Sequence, residues 1–182
     1  NGFRSDLTEK ILGFNSHLTI NPYSDTISEK FYSDLQNKYK SFNILKTYNG
    51  EAVAIKTDSA KGILIRGIET EKIKEIDFLK KNIIDGELSN VSSGEIIVGK
   101  HLAIELGVVV GDKINIISST SVSTPFGSIP KQSSYKINAV FSTGLYEFDR
   151  SVAFFNLKDS LSFFEKTEDH ISLEIFLPNP LN

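Results

Sequence analysis

The sequence contains no cysteine. Disulfides and thiolate metal sites are therefore excluded, while the redox compartment is left open. Long apolar runs are missing as well. The longest, such as 106–110, fall far short of the ~18 residues that a spanning helix needs. There is no excess of positive charge: the net charge is -3. Bulk charge thus gives no footprint for nucleic acid or an anionic membrane. Residues 94–99 carry glycines but lack the Gly-Lys-Ser/Thr ending of a phosphate loop. His17, His101 and His170 lie far apart and show no ligand spacing. No nucleophile–base pair is recognisable, so the reading is of a chain with no metal, no cofactor and no catalysis of its own. The polar opening Asn1, Gly2 and Arg4 has no signal-peptide character.

What is there reads as an α+β protein. The 182 residues are 40% hydrophobic and 24% charged, enough for one sizeable core or two small subdomains. Phe3, Leu7, Ile11 and Phe14 share one face at helical spacing, which predicts a short amphipathic helix near the start. Residues 17–21 alternate like a strand that Pro22 stops. Thr26-Ile27-Ser28-Glu29 has the form of a capping box. The helix it opens puts Ile27, Phe31 and Leu35 on one face. Residues 42–48 and 51–56 alternate around Asn49-Gly50, the strongest short hairpin signal, and 63–68 is a further strand. Ile20, Ile27, Phe31 and Leu35 are expected to pack against that hairpin.

The middle of the chain is richer in turns. Residues 72–84 form a charged, broken helical stretch. A strand at 95–98 precedes a short helix at 100–106 that Gly107 can close. Gly111-Asp112 turns into a strand at 113–118. Residues 134–141 and 151–156 alternate again. A helix at 157–164 has Asn156 as its cap, and a last strand at 171–177 ends at Pro178 and Pro180. Tyr146-Glu147-Phe148-Asp149 reads as a turn with solvated carboxylates rather than an acid–base pair.

Residues 119–134 stand apart, because loops beyond ~12–15 residues without structure of their own are usually functional or disordered. Serine richness favours disorder, but the segment Thr124-Pro125-Phe126-Gly127-Ser128-Ile129-Pro130 argues against it. Two prolines fix φ and lower the entropy lost on binding. Phe126 and Ile129 are apolar residues that the parent fold has difficulty burying. The expectation is a stiff probe, apolar at its tip, held by antiparallel arms at 113–118 and 134–141. Lys131 and Gln132 at its base would supply polar contacts.

Four stretches, in order, resemble the LolC/LolE lipoprotein-releasing permease family. They are Asn1-Gly2-Phe3-Arg4 with Ile11-Leu12-Gly13-Phe14; Gly94-Glu95-Ile96-Ile97-Val98-Gly99 with Leu106-Gly107-Val108 and Gly111-Asp112-Lys113; the segment 124–130; and residues 140–149. The third is similar to the hook loop of the LolC branch. The resemblance implies a MacB-like periplasmic core, with a split, βαβ-like porter subdomain and a β-rich sabre subdomain inserted in it. Residues 1–67 would be the first porter half and 68–167 the sabre, with the hook at 119–134. Residues 168–182 would begin a second porter half that the chain does not complete. A Gram-negative inner-membrane permease with this domain in the periplasm follows. Its expected partners are the lipoprotein carrier LolA, a second permease subunit, cytoplasmic ATPase subunits and the lipoprotein itself.

The same resemblance implies carrier binding by Thr124, Pro125, Phe126, Gly127, Ser128, Ile129, Pro130, Lys131 and Gln132. In the LolC branch basic residues flank the hook as a pad. The matching positions here are Asn115, Gln132 and Ser133, so Lys131 is expected to supply the charge. Phe3, Leu7 and Ile11 read as core or as the continuation of a membrane helix, with a wall of the lipid vestibule as the functional alternative. Two other functions compete: a MacB-like efflux or mechanotransmission permease, which would lack the hook, and a cell-envelope hydrolase, which would need a cleft joining His101 to Asp149.

Overall fold

The computed structural model describes residues 15–22, 26–88, 91–125 and 127–178. The expected N-terminal helix with Phe3, Leu7 and Ile11 lies outside the described residues, and so does Phe126. In chain order the elements are β1 (Leu18–Ile20), α1 (Glu29–Lys38), β2 (Asn43–Lys56), β3 (Ser59–Ile68), α2 (Thr70–Ile73), α3 (Asp77–Asn82), β4 (Ile83–Gly86), β5 (Glu95–Gly99), α4 (Lys100–Leu106), β6 (Lys113–Thr124), β7 (Gly127–Phe141), α5 (Tyr146–Ser151), β8 (Val152–Asn156), α6 (Leu157–Phe163), a short 3-10 turn (Glu168–His170) and β9 (Ser172–Phe176).

The strands close on themselves. β2 pairs with β3, β3 with β8, β8 with β5, β5 with β7, β7 with β6, and β6 returns to β2. Closure removes the open edges that a flat sheet would expose. Every strand of the circuit sends alternate residues inward, as a pleat of period two requires. Ala52 and Ala54, Ile63 and Ile65, Ile96 and Val98, Ile114 and Ile116, Tyr135 and Ile137, and Ala153 and Phe155 form one buried cluster. Leu102, Ala103 and Leu106 of α4 and Phe163 of α6 belong to the same cluster. The outward residues of β5, β7 and β8, such as Ile97, Phe141 and Phe154, are covered in turn by Ile73, Leu79 and Phe148 from α2, α3 and α5. Buried on both faces, β8 is apolar at every position but the last, Asn156.

A smaller layer grows from the same sheet. The first part of β2, from Asn43 to Thr47, pairs with β9, and β9 pairs with β1. Tyr32 of α1 packs there on Ile44, Leu173 and Ile175, with Ile20, Ile27 and Leu35 at the margin. Arg66 of β3 reaches across β2 to Glu174 of β9 at 2.5 Å, both side chains 9% exposed. β2 thus serves the smaller layer with one half and the barrel with the other.

Several sequence expectations are met: Gly107 closes α4 at φ 65°, and Asn156 caps α6 by accepting from the Asp159 amide. Others need correction. Asn49-Gly50 makes no hairpin turn, because β2 runs straight through it. A Cβ on Gly50 would lie 2.5 Å from the Phe164 ring, so this glycine marks a close approach rather than a bend. The turn comes later, between the paired Lys56 and Ser59, with Thr57 at φ 51°. The cap of α1 is Ser28, whose hydroxyl accepts from the Phe31 amide, not Thr26. Glu29 pairs with Lys46 instead, Phe31 is 45% exposed, and Tyr32 fills the buried position.

The carboxylates of 146–149 do not share the solvated turn expected of them. Asp149 sits in α5 with 0% exposure. It accepts hydrogen bonds from the Thr143 amide and hydroxyl, the Gly144 amide and the Ser142 hydroxyl. Finally, residues 119–134 are not an irregular loop. β6 and β7 continue as a paired ribbon out to Thr124 and Gly127.

Candidate partner-binding ribbon

The arms of the ribbon start as barrel strands. Lys113 to Ile117 pair with Lys136 to Gln132, and β6 also lies against β2 as far as Ser118 opposite Ala52. Beyond that point the third strand is lost. Ser121 to Thr124 pair only with Pro130 to Gly127, in the registers Ser121 with Pro130 and Thr124 with Gly127. Gly127 takes φ 121°, the positive φ that glycine tolerates best. Pro125 and Pro130 are exposed, and Ile129 is 55% exposed. Thr124 and Ser128 lie within the paired strands. The ribbon therefore carries 125, 127, 129 and 130 exposed beyond the three-stranded part of the barrel wall, and Phe126 lies outside the described residues.

The register changes at the base. From Ile117 to Ser121 β6 uses four steps, while β7 uses two from Gln132 to Pro130, so residues 118–120 bulge opposite Lys131. A bulge bends the strand and increases its twist. Side chains tie this point to the body. The Ser119 hydroxyl donates to the Glu51 carbonyl at 3.0 Å, and the Lys131 ammonium donates to the Ser162 carbonyl at 2.5 Å. Asn115 pairs with Ser134 and Ile117 with Gln132, so Asn115 and Gln132 share the outer face of the hairpin, and both are exposed. Ser133 pairs with the buried Ile116 and faces inward. Only two of the three positions matched to the pad share an open face.

The remaining candidates separate. His17 accepts from the Leu177 amide, His101 packs at a tilt against Tyr146 with ring centroids 4.6 Å apart, and His170 lies beside Asp169 at 3.2 Å. Asp149 is enclosed by its own turn and offers nothing to His101. Sequence reasoning also missed a cleft of about 870 Å3 between the smaller layer and the start of α6. Tyr32, Lys46, Glu69, Leu157 and Asp159 are among its walls. Burial pushes the Glu69 carboxyl up, with Lys46 opposing, and burial pushes the Tyr32 phenol up to about 12, with Glu69 and Glu29 adding to it. The Lys46 ammonium lies 4.5 Å from the Tyr32 ring centroid. The elements that build this cleft come from distant parts of the chain, so no local motif signals it.

No family model matches the chain. It is 25% identical over 166 residues to the lipoprotein-releasing system transmembrane protein LolC of Xylella fastidiosa (strain Temecula1 / ATCC 700964), covering 87% of this chain and 39% of that protein. The LolC protein of Neisseria meningitidis serogroup B is 25% identical over all of this chain and 45% of its own length. That of Buchnera aphidicola is 28% identical, again over the whole chain and 46% of its length. The chain spans less than half the length of these curated relatives. Among solved structures it resembles the periplasmic region of MacB from Actinobacillus actinomycetemcomitans, with a TM-score of 0.56, 13% identity and coverage of 98% and 82%. The extracellular domain of the ABC-type transporter YknZ from Gram-positive bacteria gives a TM-score of 0.53, 15% identity and coverage of 89% and 86%. The fold is thus the MacB-like α+β fold, and the sequence is similar to LolC proteins along nearly its whole length.

Proposed function

We propose that this chain is the periplasmic domain of an inner-membrane permease in an ABC-type lipoprotein-releasing complex, and that it recruits the carrier LolA and passes lipoproteins to it. The observation that carries the reading is the ribbon. It is a paired, two-proline projection with an exposed Ile129, on a chain similar throughout to LolC proteins. Such a shape suits a partner contact made at a rigid apolar tip with a polar base. ATP hydrolysis belongs to separate ATPase subunits, and a second permease subunit completes the membrane part. The porter halves at 1–67 and 168–182 and the sabre at 68–167 are part of the same reading, with β2 and β3 of the first porter half also completing the barrel.

The test is titration of the chain against LolA, with melting curves run in parallel. Burying a side chain such as Phe126 is worth roughly 1.5–3 kcal/mol, or about one to two decades in affinity. Phe126→Ala is expected to weaken binding by that amount with the melting temperature unchanged. Pro130→Ala is expected to weaken it less, through lost preorganisation. Wild-type binding by Phe126→Ala, or unfolding of that variant, would make Phe126 something other than the anchor. No binding of LolA by the parent chain would turn the reading toward a MacB-like efflux permease.

A further inference from the structure

We infer that Lys131 is a positioning residue, which fixes the direction of the ribbon by tying β7 to the C-terminal end of α6. For its binding readout the inference rests on the carrier reading above; its geometry does not depend on that reading.

Three observations meet at one point of the ribbon. The register of β6 against β7 shifts between Ile117 and Ser121, directly opposite Lys131. A bulge sets a local bend and increases twist, and here it falls where β6 parts from β2, after Ser118. A two-stranded ribbon that leaves its sheet at a bulge has little to define its angle, since strand pairs alone are marginally stable. Both arms are nevertheless fastened at this level, β6 through Ser119 to Glu51 and β7 through Lys131 to Ser162.

The acceptor suits a lysine. Ser162 is the penultimate residue of α6, and the last carbonyls of a helix have no partner one turn on. A cation near them is favourable. Here the Phe164 amide is directed at the Ser160 and Ser162 carbonyls, Lys166 donates to Leu161, and Glu165 reaches Ser162 only at a long 3.3 Å, so the Ser162 oxygen lies in a loosely bonded last turn that the ammonium completes. α6 itself is held firmly: Phe163 is buried in the barrel core, and Phe164 packs on Gly50. The charge expected to face a partner is therefore spent within the molecule. Lys131 raises partner affinity by holding the ribbon in one orientation, which lowers the ordering cost of binding.

The absence of cysteine makes the geometry directly measurable. Spin labels on Ile129→Cys and Lys158→Cys, both exposed, report the distance from ribbon to body without any partner. With Lys131 intact a single narrow distance is expected. Lys131→Ala should broaden or displace it, and Lys131→Arg should restore it. Binding of LolA by Lys131→Ala should be roughly fivefold weaker, the scale of one exposed charged contact. The salt dependence of association should stay as in the parent, because the lysine does not meet the carrier. An unchanged distance distribution in Lys131→Ala overturns the inference. So does a shallower salt dependence at unchanged distance, which would make Lys131 a direct contact. If the parent chain does not bind LolA, the functional reading falls while the distance measurement still decides the role of Lys131.

Discussion

At the scale of single residues, the chain shows how one signal can carry two meanings. Asn49-Gly50 has the composition of a tight turn, yet Gly50 lies inside β2 under the Phe164 ring. Because its φ is not positive, alanine would fit the backbone and reduce unfolded-state entropy, a stabilising effect of roughly 0.4–1 kcal/mol. The ring stands in the way, and overpacking a core costs about 1–3 kcal/mol. Gly50→Ala is therefore expected to lower the midpoint of chemical denaturation; a rise would mean that the ring yields freely. A local window could not reveal this, since Phe164 is remote in sequence. Asp149 differs: its partners Ser142, Thr143 and Gly144 are near in sequence, but the burial of that turn is set by how β7 meets α5. Glu69 offers a test by pH. Burial raises its carboxyl above the ordinary 4.5, so the neutral form is favoured in the fold. The stability this gives is fully present below the unfolded value and is lost as pH rises through the folded one. Glu69→Gln should therefore raise the melting temperature at neutral pH and have no such effect well below pH 4.5. An equal gain at both would trace it to something other than ionisation.

Among the elements, those with one buried face were legible and those without were not. α4, α6, β3 and β9 stand near their expected positions because apolar spacing and caps agree there. Among the described residues the outer half of the ribbon pairs with no third strand, so no buried face imposes a period of two on its sequence. It read as a loop although it is regular. The buried pair Arg66–Glu174 was invisible too, since it joins β3 to β9 across an intervening strand. Removing one member of such a pair strands the other charge and costs about 3–5 kcal/mol, whereas replacing both by apolar residues is often neutral. Glu174→Gln should accordingly destabilise strongly, and Arg66→Met with Glu174→Leu should recover most of the loss in urea denaturation. Equal effects of the single and double changes would mean that the pair does not couple the smaller layer to the barrel.

For the whole molecule, strand and helix order pointed to α+β, but closure into a barrel did not follow from it. Pairings such as β3 with β8 and β5 with β7 are parallel and far apart in sequence, and no turn signal announces them. The motif resemblance implied a MacB-like core, and structural likeness to MacB agrees with that fold, but the closure was announced by neither resemblance nor periodicity. Closure also sets an order in time. β8 stands between β3 and β5 and carries Ala153 and Phe155 into the core. Until residues 152–156 arrive, the barrel is an open sheet with its interior wet. A chain emerging N-terminus first would hold most of its strands without a finished core, and then complete it in one late step. Long-range parallel pairing is intrinsically slow, so the nascent domain would spend its vulnerable interval waiting for one short strand.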